Sequence, residues 1–282
     1  FEEEWHEDYA GHSVVSVHLS EEAGRKALEA YRDALKNGEL ARIDKDEAHI
    51  RERLESGNMA PNRAKEKLGE NRSYHNFIVY TDRLNYCSAL INNVTYAMAV
   101  ERLMGVQVPE RAVWIRMICA EMARIIDHLI CVGVNALDLG AFSFFLYGFH
   151  QREEAYTLIE KICGARLTTS YTRIGGLMHD APAGWEKEVK DWVVRTRKTV
   201  KEMDQLLTNN RIWCDRTQGV GVFTREQCMA YSYTGPNARA AGINRDLRRD
   251  EPTMFYKNVE FDVPVGKNGD VFDRYMVRMA EI

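Results

Sequence analysis

The sequence predicts a mainly α-helical protein built as a central bundle of long helices, with small β elements at the N-terminus and in the C-terminal region. Three observations carry this expectation. Two strongly apolar helical patterns run from about Asp82 to Met104 and from Glu110 to Val134, separated by Gly105 and Pro109. A further long pattern, WEKEVKDWVVRTRKTVKEMDQLL, is amphipathic at helical spacing. Alternating apolar runs that read as strands are confined to SVVSVHL near the start and VEFDVPVG near the end.

In chain order, the 13–19 run is followed by Ser20, which with Glu21 and Glu22 makes a good helix start. Ala23, Leu28, Tyr31 and Leu35 give that helix a moderate apolar stripe, and Asn37-Gly38 ends it. Residues 39–73 are highly charged, with a helix expected at DKDEAHIRERLES and a turn at SGNMAPN. Gly105 stops the 82–104 helix, and Pro109 suits the first turn of the next. Another helix is expected from about Phe144 to Cys163, then the Gly-, Thr- and Arg-rich loop GARLTTSYTRIGGLMHDAP. The long 185–207 helix ends at Asn209-Asn210, and Thr224-Arg225-Glu226-Gln227 is a capping box opening a short helix. The tail after Gly235-Pro236 reads as loop with one strand at 259–266. The expected organisation is an N-terminal region over 1–62, a helical core over 63–210 and a loop-rich C-terminal region over 211–282.

Composition narrows the function classes. The formal net charge of −4, from 38 basic and 42 acidic residues, gives no nucleic-acid footprint. No apolar run reaches the roughly 18 residues that span a bilayer. The six cysteines form no CxxC pair, so the expectation is reduced thiols in an intracellular protein rather than disulfides or a cysteine-held metal. His6, His12 and His18 recur every six residues, which fits neither one helix face nor a compact loop, so no metal site is expected.

The 110–134 pattern is apolar nearly all round, yet it carries Arg116, Glu121, Arg124, Asp127 and His128. Glu121 and Arg124 are spaced i,i+3, and Arg124 and His128 i,i+4. Two readings stay open: a solvent-facing stripe, or an internal polar chain able to relay protons or field changes. Buried charges must pair.

Four blocks together carry a resemblance: EKLGENRSYHNFIVYTDRLNY, ALDLGAFSFFLYGFHQRE, GARLTTSYTRIGG and the C-terminal LLTNNRIWCDRTQGVGVFTREQCMAYSYTGPNARAAGINRDLR…FDVPVGKNGDVFDRYMVRMAEI. Across residues 63–282 the sequence resembles the 49-kDa subunit of respiratory complex I, NADH:quinone oxidoreductase, a relative of the nickel–iron hydrogenase large subunit. The resemblance implies a hydrogenase large-subunit-like fold. It implies a proton-translocating enzyme subunit that is not active alone and that forms the quinone pocket with a partner holding the terminal iron–sulfur cluster. It also implies that this chain binds no cofactor or metal by itself, with quinone as substrate. Further implied partners are the 30-kDa subunit and the membrane-arm subunit at the quinone entrance. The implied location is peripheral, on the cytoplasmic face of a bacterial inner membrane or the matrix face of the mitochondrial one.

Residue by residue, the tyrosine of the DRLDY block falls on Tyr86 and the aspartate of the ALDIG block on Asp138. The histidine of the family's HPATHG loop is matched by His12 in DYAGHSVVSVHL, where Asp8 replaces the first histidine. Arg63 falls on the arginine of HRGTEKL. Asp82, Arg83, Arg166, Thr168, Tyr171 and Arg173 are expected to support the pocket or the cluster interface, and Glu121, Arg124, Asp127 and His128 to couple it to proton movement. By residue type alone, Tyr86 reads as a core tyrosine, Asp138 as a cap, and Asp82 with Arg83 as a structural ion pair.

Three departures matter. Leu167-Thr168 follows Arg166 where the family often has a histidine, which predicts a weakly pH-dependent cluster potential suited to a low-potential quinone such as menaquinone. The family continues for roughly 100 residues beyond VRMAEI. The paired CxxC nickel ligands of hydrogenases are missing, which argues against hydrogenase activity. The competing reading is a structural paralogue that scaffolds neighbouring subunits without a working quinone site.

Overall fold

The computed structural model describes residues 67 and 69–282. The expected 13–19 strand, the helices before residue 57, His12 and Arg63 lie outside the described residues. The described part is mainly helical, with ten α-helices and one two-stranded ladder among the described residues. These are α1 (Tyr74–Thr81), α2 (Ala89–Met104), α3 (Glu110–Asp138), α4 (Phe142–Cys163), β1 (Thr172–Arg173), β2 (Gly176–Leu177), α5 (Trp185–Leu207), α6 (Arg211–Thr217), α7 (Arg225–Ala230), α8 (Gly235–Ala240), α9 (Leu247–Asp250) and α10 (Val271–Glu281). Single 3-10 turns occur at Tyr86–Ser88 and Tyr256–Asn258. The fold divides into two compact units, one holding residues up to 116 together with 162–180, the other 117–161 together with 181–282.

In the first unit, the Ser73 hydroxyl accepts from Asn76 N at 3.3 Å and caps α1. Ile78 of α1 and Leu90, Val94, Ala97 and Val100 of α2 are buried. Gly105 ends α2 with φ +70°, a conformation in which a side chain would be strained. The helix expected from Asp82 begins only at Ala89. Asp82 still has helical backbone angles, φ −56° and ψ −31°, as the C-cap of α1; the run is broken at Asn85, which is extended. β1 and β2 pair antiparallel, with Thr172 opposite Leu177 and Arg173 opposite Gly176. This hairpin lies where the sequence read as loop.

The second unit is built on α5. The Trp185 indole donates to Leu158 O at 2.9 Å, and the Trp192 indole to Gln151 O at 3.1 Å. Leu129, Val132, Phe144, Met203, Leu207, Trp213, Tyr275 and Met279 form one buried cluster. The capping box at Thr224 is present: Thr224 Oγ1 accepts from Gln227 N, and Gln227 Oε1 from Thr224 N. The tail departs from expectation in its strand and in its helices, since α8, α9 and α10 lie where the sequence read as loop. Residues 259–266 form no strand, because no second segment among the described residues pairs with them; Gly266 N bonds Arg239 O instead. α10 was not foreseen, although Asp270 caps it and Val271, Tyr275 and Met279 recur at helical spacing. Gly269 lets the loop before α10 approach the start of α7: a Cβ there would stand 2.2 Å from Phe223 O.

Candidate functional site

Tyr86 opens its 3-10 turn with its side chain 60% exposed, so it is not a core tyrosine. The turn is braced by its neighbours: Asn85 Nδ2 donates to Ser88 Oγ at 2.7 Å, and Asn92 Nδ2 to Asn85 O at 3.2 Å. The phenol is thus presented outward from a fixed turn. Arg83 is also exposed; it donates to Val79 O at 2.6 Å. With Arg72, Asn76, Val79 and Tyr80 it lines an open pocket of about 420 Å³.

Asp82 is fully buried, and Ser170 rather than the exposed Arg83 supplies its donors. It accepts from Ser170 N at 3.1 Å and from the Ser170 hydroxyl at 2.5 Å, so the buried carboxylate is hydrogen-bonded, as buried polar groups must be. Ser170 has φ +43°, one of three non-glycine residues in the left-handed region among the described residues. Nearby, Asn93 Nδ2 donates to Thr81 Oγ1 at 2.8 Å, and Thr169 Oγ1 to Asn93 Oδ1 at 3.4 Å.

The second anchor of this loop is the ion pair between Glu101 of α2 and Arg116 of α3. Both are buried, and the pair is bidentate at 2.6 and 2.9 Å. Their remaining capacity goes to the hairpin backbone. Arg116 Nη2 donates to Arg173 O and Gly176 O, each at 2.8 Å, and Glu101 Oε1 accepts from Gly175 N at 2.7 Å. The Arg173 guanidinium folds back onto Ser170 O. Tyr171 is wholly buried and donates to His179 O at 2.8 Å, so it belongs to the interior of the loop and not to an exposed edge. Arg166 is half-buried, and Leu167 and Thr168 are exposed. His75 of α1, not singled out from the sequence, is lowered to about 4 by burial first and the Arg173 charge second. Its imidazole is neutral at physiological pH.

In the second unit, Asp138 is the last residue of α3 and is exposed. The helix end is closed by backbone: Gly140 N bonds Leu137 O at 2.9 Å, and Ala141 N bonds Ala136 O at 2.8 Å. Asp138 therefore does not cap the turn. A carboxylate at a helix C-terminus opposes the macrodipole, so helix stability does not account for it.

The charges of α3 are neither a bare solvent stripe nor paired only along the helix. Glu121 accepts from Arg124 Nε at 3.1 Å, as its spacing predicts, and also from Arg248 Nη1 at 3.0 Å and the Tyr256 hydroxyl at 2.6 Å. Arg248 holds Asp246 at 2.7 Å, Asp246 lies 3.6 Å from Arg239, and Arg239 pairs with Glu281. Glu281 meets His128 Nε2 at 2.6 Å. His128 therefore pairs with Glu281 of α10 and not with Arg124, since ring and carboxylate are both buried there and only a direct partner offsets desolvation. The series of contacts runs Arg124–Glu121–Arg248–Asp246–Arg239–Glu281–His128. Asp127 is half-buried.

The electrostatics follow the partners. For Asp246, burial pushes upward, but hydrogen bonds from Arg248 and the charges of Arg248 and Arg239 outweigh it and pull the carboxyl down to about 2. For Glu281, burial likewise pushes upward and is overcome by His128 and Arg239, leaving it below the ordinary carboxylate range. Burial and then Glu121 hold the Tyr256 phenol protonated. Glu101, Arg239, Asp246, Arg248, Tyr256 and Glu281 were missed from the sequence. Glu101 carried one signal, a carboxylate within an apolar helical run. The others pair across long stretches of sequence or sit in short turns, where no local pattern marks them.

Among the described residues, no cluster of three or more His, Cys, Asp or Glu side chains is placed to hold a metal. No helix among them is long and apolar enough to cross a membrane.

Residues 138–282, just over half of the chain, match the model of the family described as respiratory-chain NADH dehydrogenase, 49 Kd subunit. The protein belongs to that family. It is 51% identical over 220 residues to the D subunit of NADH-quinone oxidoreductase from Methylacidiphilum infernorum, covering 78% of this chain and 53% of that protein. It is 50% identical over 217 residues to the C/D subunit of NADH-quinone oxidoreductase from Bdellovibrio bacteriovorus, covering 77% and 39%. The corresponding D subunit of Leptospira biflexa is 45% identical over 217 residues, covering 77% and 53%. The sequence thus spans about half the length, or less, of these curated relatives.

Proposed function

We propose that this chain is a subunit of a proton-translocating NADH:quinone oxidoreductase and helps form its quinone-reduction site. The observation that carries the reading is the Tyr86 phenol, exposed on a braced turn, in a protein that belongs to the 49 Kd subunit family. Asp138 adds to it, an exposed carboxylate that its helix does not need. Reducing a quinone to a quinol takes two electrons and two protons. The electrons come from an iron–sulfur cluster in an adjacent subunit; this chain supplies position and protons. The Tyr86 hydroxyl donates to one quinone carbonyl and can pass on its proton. His12 serves the other carbonyl, and Asp138 fixes its tautomer and stabilises its charged form.

Coupling to proton movement then runs from the altered field at Asp138 to the ionic series that contains Glu121, Arg124 and His128, with Asp127 beside it. Unchanged pumping per electron after neutralising Asp127 and Glu121 together would remove this part of the reading. Arg63, Arg166, Thr168 and Arg173 face the cluster-bearing subunit. The 30-kDa subunit is a second neighbour, as the joined C/D name of the Bdellovibrio relative suggests, and the membrane-arm subunit at the quinone entrance a third. The protein is placed peripherally on the cytoplasmic face of a bacterial inner membrane.

The deciding experiment is quinone reductase activity of the assembled complex with Tyr86→Phe. Activity is expected to fall roughly a hundredfold with assembly and cluster reduction intact, the lower end of what a positioned proton donor contributes. Unchanged activity would overturn the assignment and leave a scaffolding subunit. Redox titration of the terminal cluster at two pH values checks Thr168: a shallow slope is expected, and a steep one counts against it.

A further inference from the structure

The loop over 166–177 is held in a manner that its stability alone does not require. An ion pair buried away from water offsets its own desolvation only when the geometry is good and every remaining donor and acceptor is satisfied. Glu101 and Arg116 meet that condition by spending their spare capacity on the backbone of residues 173, 175 and 176. Asp82, also fully buried, spends its capacity on Ser170. Ser170 in turn stands at φ +43°, where a side chain is disfavoured and glycine would relieve the strain. Apolar residues of similar volume would fill these helix positions without desolvating several ionic or polar groups. What the arrangement adds is specification: two anchors, one at each end of the 170–176 segment, leave its backbone a single conformation. Between them sits Arg173, whose guanidinium is turned onto Ser170 O. Just before them lie Arg166 and the exposed pair Leu167-Thr168.

We propose that Asp82, Glu101 and Arg116 are positioning residues that preset the 166–173 edge for the subunit that holds the terminal iron–sulfur cluster, fixing where the Arg173 charge stands relative to that cluster. The proposal rests on the reading above that this edge faces the cluster. A guanidinium held at fixed distance from a redox centre stabilises its reduced form by a constant amount. Released from its anchors, the same charge samples several positions, and the cluster's potential and electronic environment become altered and heterogeneous. Glu101 and Asp82 are buried and bonded to the loop, so they act through it.

The test uses the assembled complex with Glu101→Gln and Asp82→Asn, which keep shape and remove the charge that holds the backbone N–H groups and Arg116. The readouts are the terminal cluster's paramagnetic resonance line shape and midpoint potential, quinone turnover per assembled complex, and NADH oxidation by an artificial acceptor upstream. The proposal expects a broadened or shifted cluster signal and at least roughly a fivefold loss of quinone turnover per complex, with upstream oxidation unchanged. A purely structural role would lower the amount of complex and leave the signal and turnover per complex at wild-type values, which would overturn the proposal. Should either variant fail to assemble, Ser170→Ala decides. It removes only the hydroxyl bond to Asp82, is expected to shift the cluster signal in the same direction by a smaller amount, and overturns the proposal if the signal is unchanged. Tyr86→Phe run alongside separates the two claims. Lost turnover there with wild-type behaviour in the loop variants sinks the positioning role alone. Unchanged turnover there with an altered cluster signal in the loop variants sinks the quinone assignment alone.

Discussion

Helix α3 contributes to two ionic systems that end differently. Arg116 and Glu101 form a closed one: each charged nitrogen of Arg116 has a partner, and the spare bonds end on backbone that does not titrate. The system that starts at Glu121 is open. Its links alternate in sign through Arg248, Asp246, Arg239 and Glu281, and it stops at His128, whose Nδ1 has no hydrogen-bond partner among the described residues; Arg239 Nε is in the same position. The arginines of the series (Arg124, Arg248, Arg239) match its carboxylates (Glu121, Asp246, Glu281) three to three. A closed pair fixes geometry. An open series leaves polar atoms for a further partner, and a charge brought to one end passes a change of field along its links.

The contrast can be broken most directly at Arg116. Arg116→Ala leaves Glu101 buried without its cation, and should destabilise the fold by about 3–5 kcal/mol. The midpoint of urea unfolding measures it, and a paired change to Glu101→Leu with Arg116→Met should recover most of the loss. In the open system the corresponding change is milder. After Arg239→Met, Asp246 still has Arg248 and Glu281 still has His128, so a loss of about 2 kcal/mol is expected by the same measurement. Equal losses at the two sites would dissolve the distinction.

Acid sharpens the comparison. His75 is held neutral in the folded first unit, with its value lowered from 6.5 to about 4. The unfolded polypeptide takes up that proton first, so this contribution is complete above about pH 6.5 and is lost as pH falls toward 4. Asp246 in the second unit has its value lowered from 3.8 to about 2, so its contribution persists to about pH 4 and is lost only between there and 2. Hydrogen exchange at about pH 7, 5 and 3 should therefore show α1 loosening before α9, and His75→Asn should abolish the earlier step. The smallest effect is expected at an exposed pair. Arg111 Nε meets both oxygens of Asp180 at 2.9 Å, but both side chains are more than half exposed. Asp180→Asn should change stability by no more than about 0.5 kcal/mol, because water and salt screen such a pair.

Much of the scaffold was legible because it is written locally. Helix periodicity placed α3, α4 and α5 within a residue or two of their observed starts; Gly105 stopped α2, and Thr224 with Gln227 made the predicted capping box. Tyr86 and Asp138 are singled out only by their motif context, since residue type alone favoured a core tyrosine and a cap; the structure exposes both. The reading went wrong where long-range contacts compete with local pattern. Asp82 looked like the start of a helix and a partner for Arg83, but Ser170, 88 residues on, takes its carboxylate. The alternation at 259–266 looked like a strand, and no second strand among the described residues pairs with it.

What the sequence determined by itself is therefore the helical class, the long central helices, the stop and cap signals and the membership that the four blocks announce. All of these rest on spacings of three or four residues or on contiguous motifs. Only the tertiary structure decided which charges meet. Glu101 finds Arg116 and then the hairpin backbone; Glu121 finds Arg248 and Tyr256; His128 finds Glu281, 153 residues away. A buried charge selects its partner by the desolvation that an unpaired neighbour leaves unmet, and that quantity exists only once the helices have closed around it.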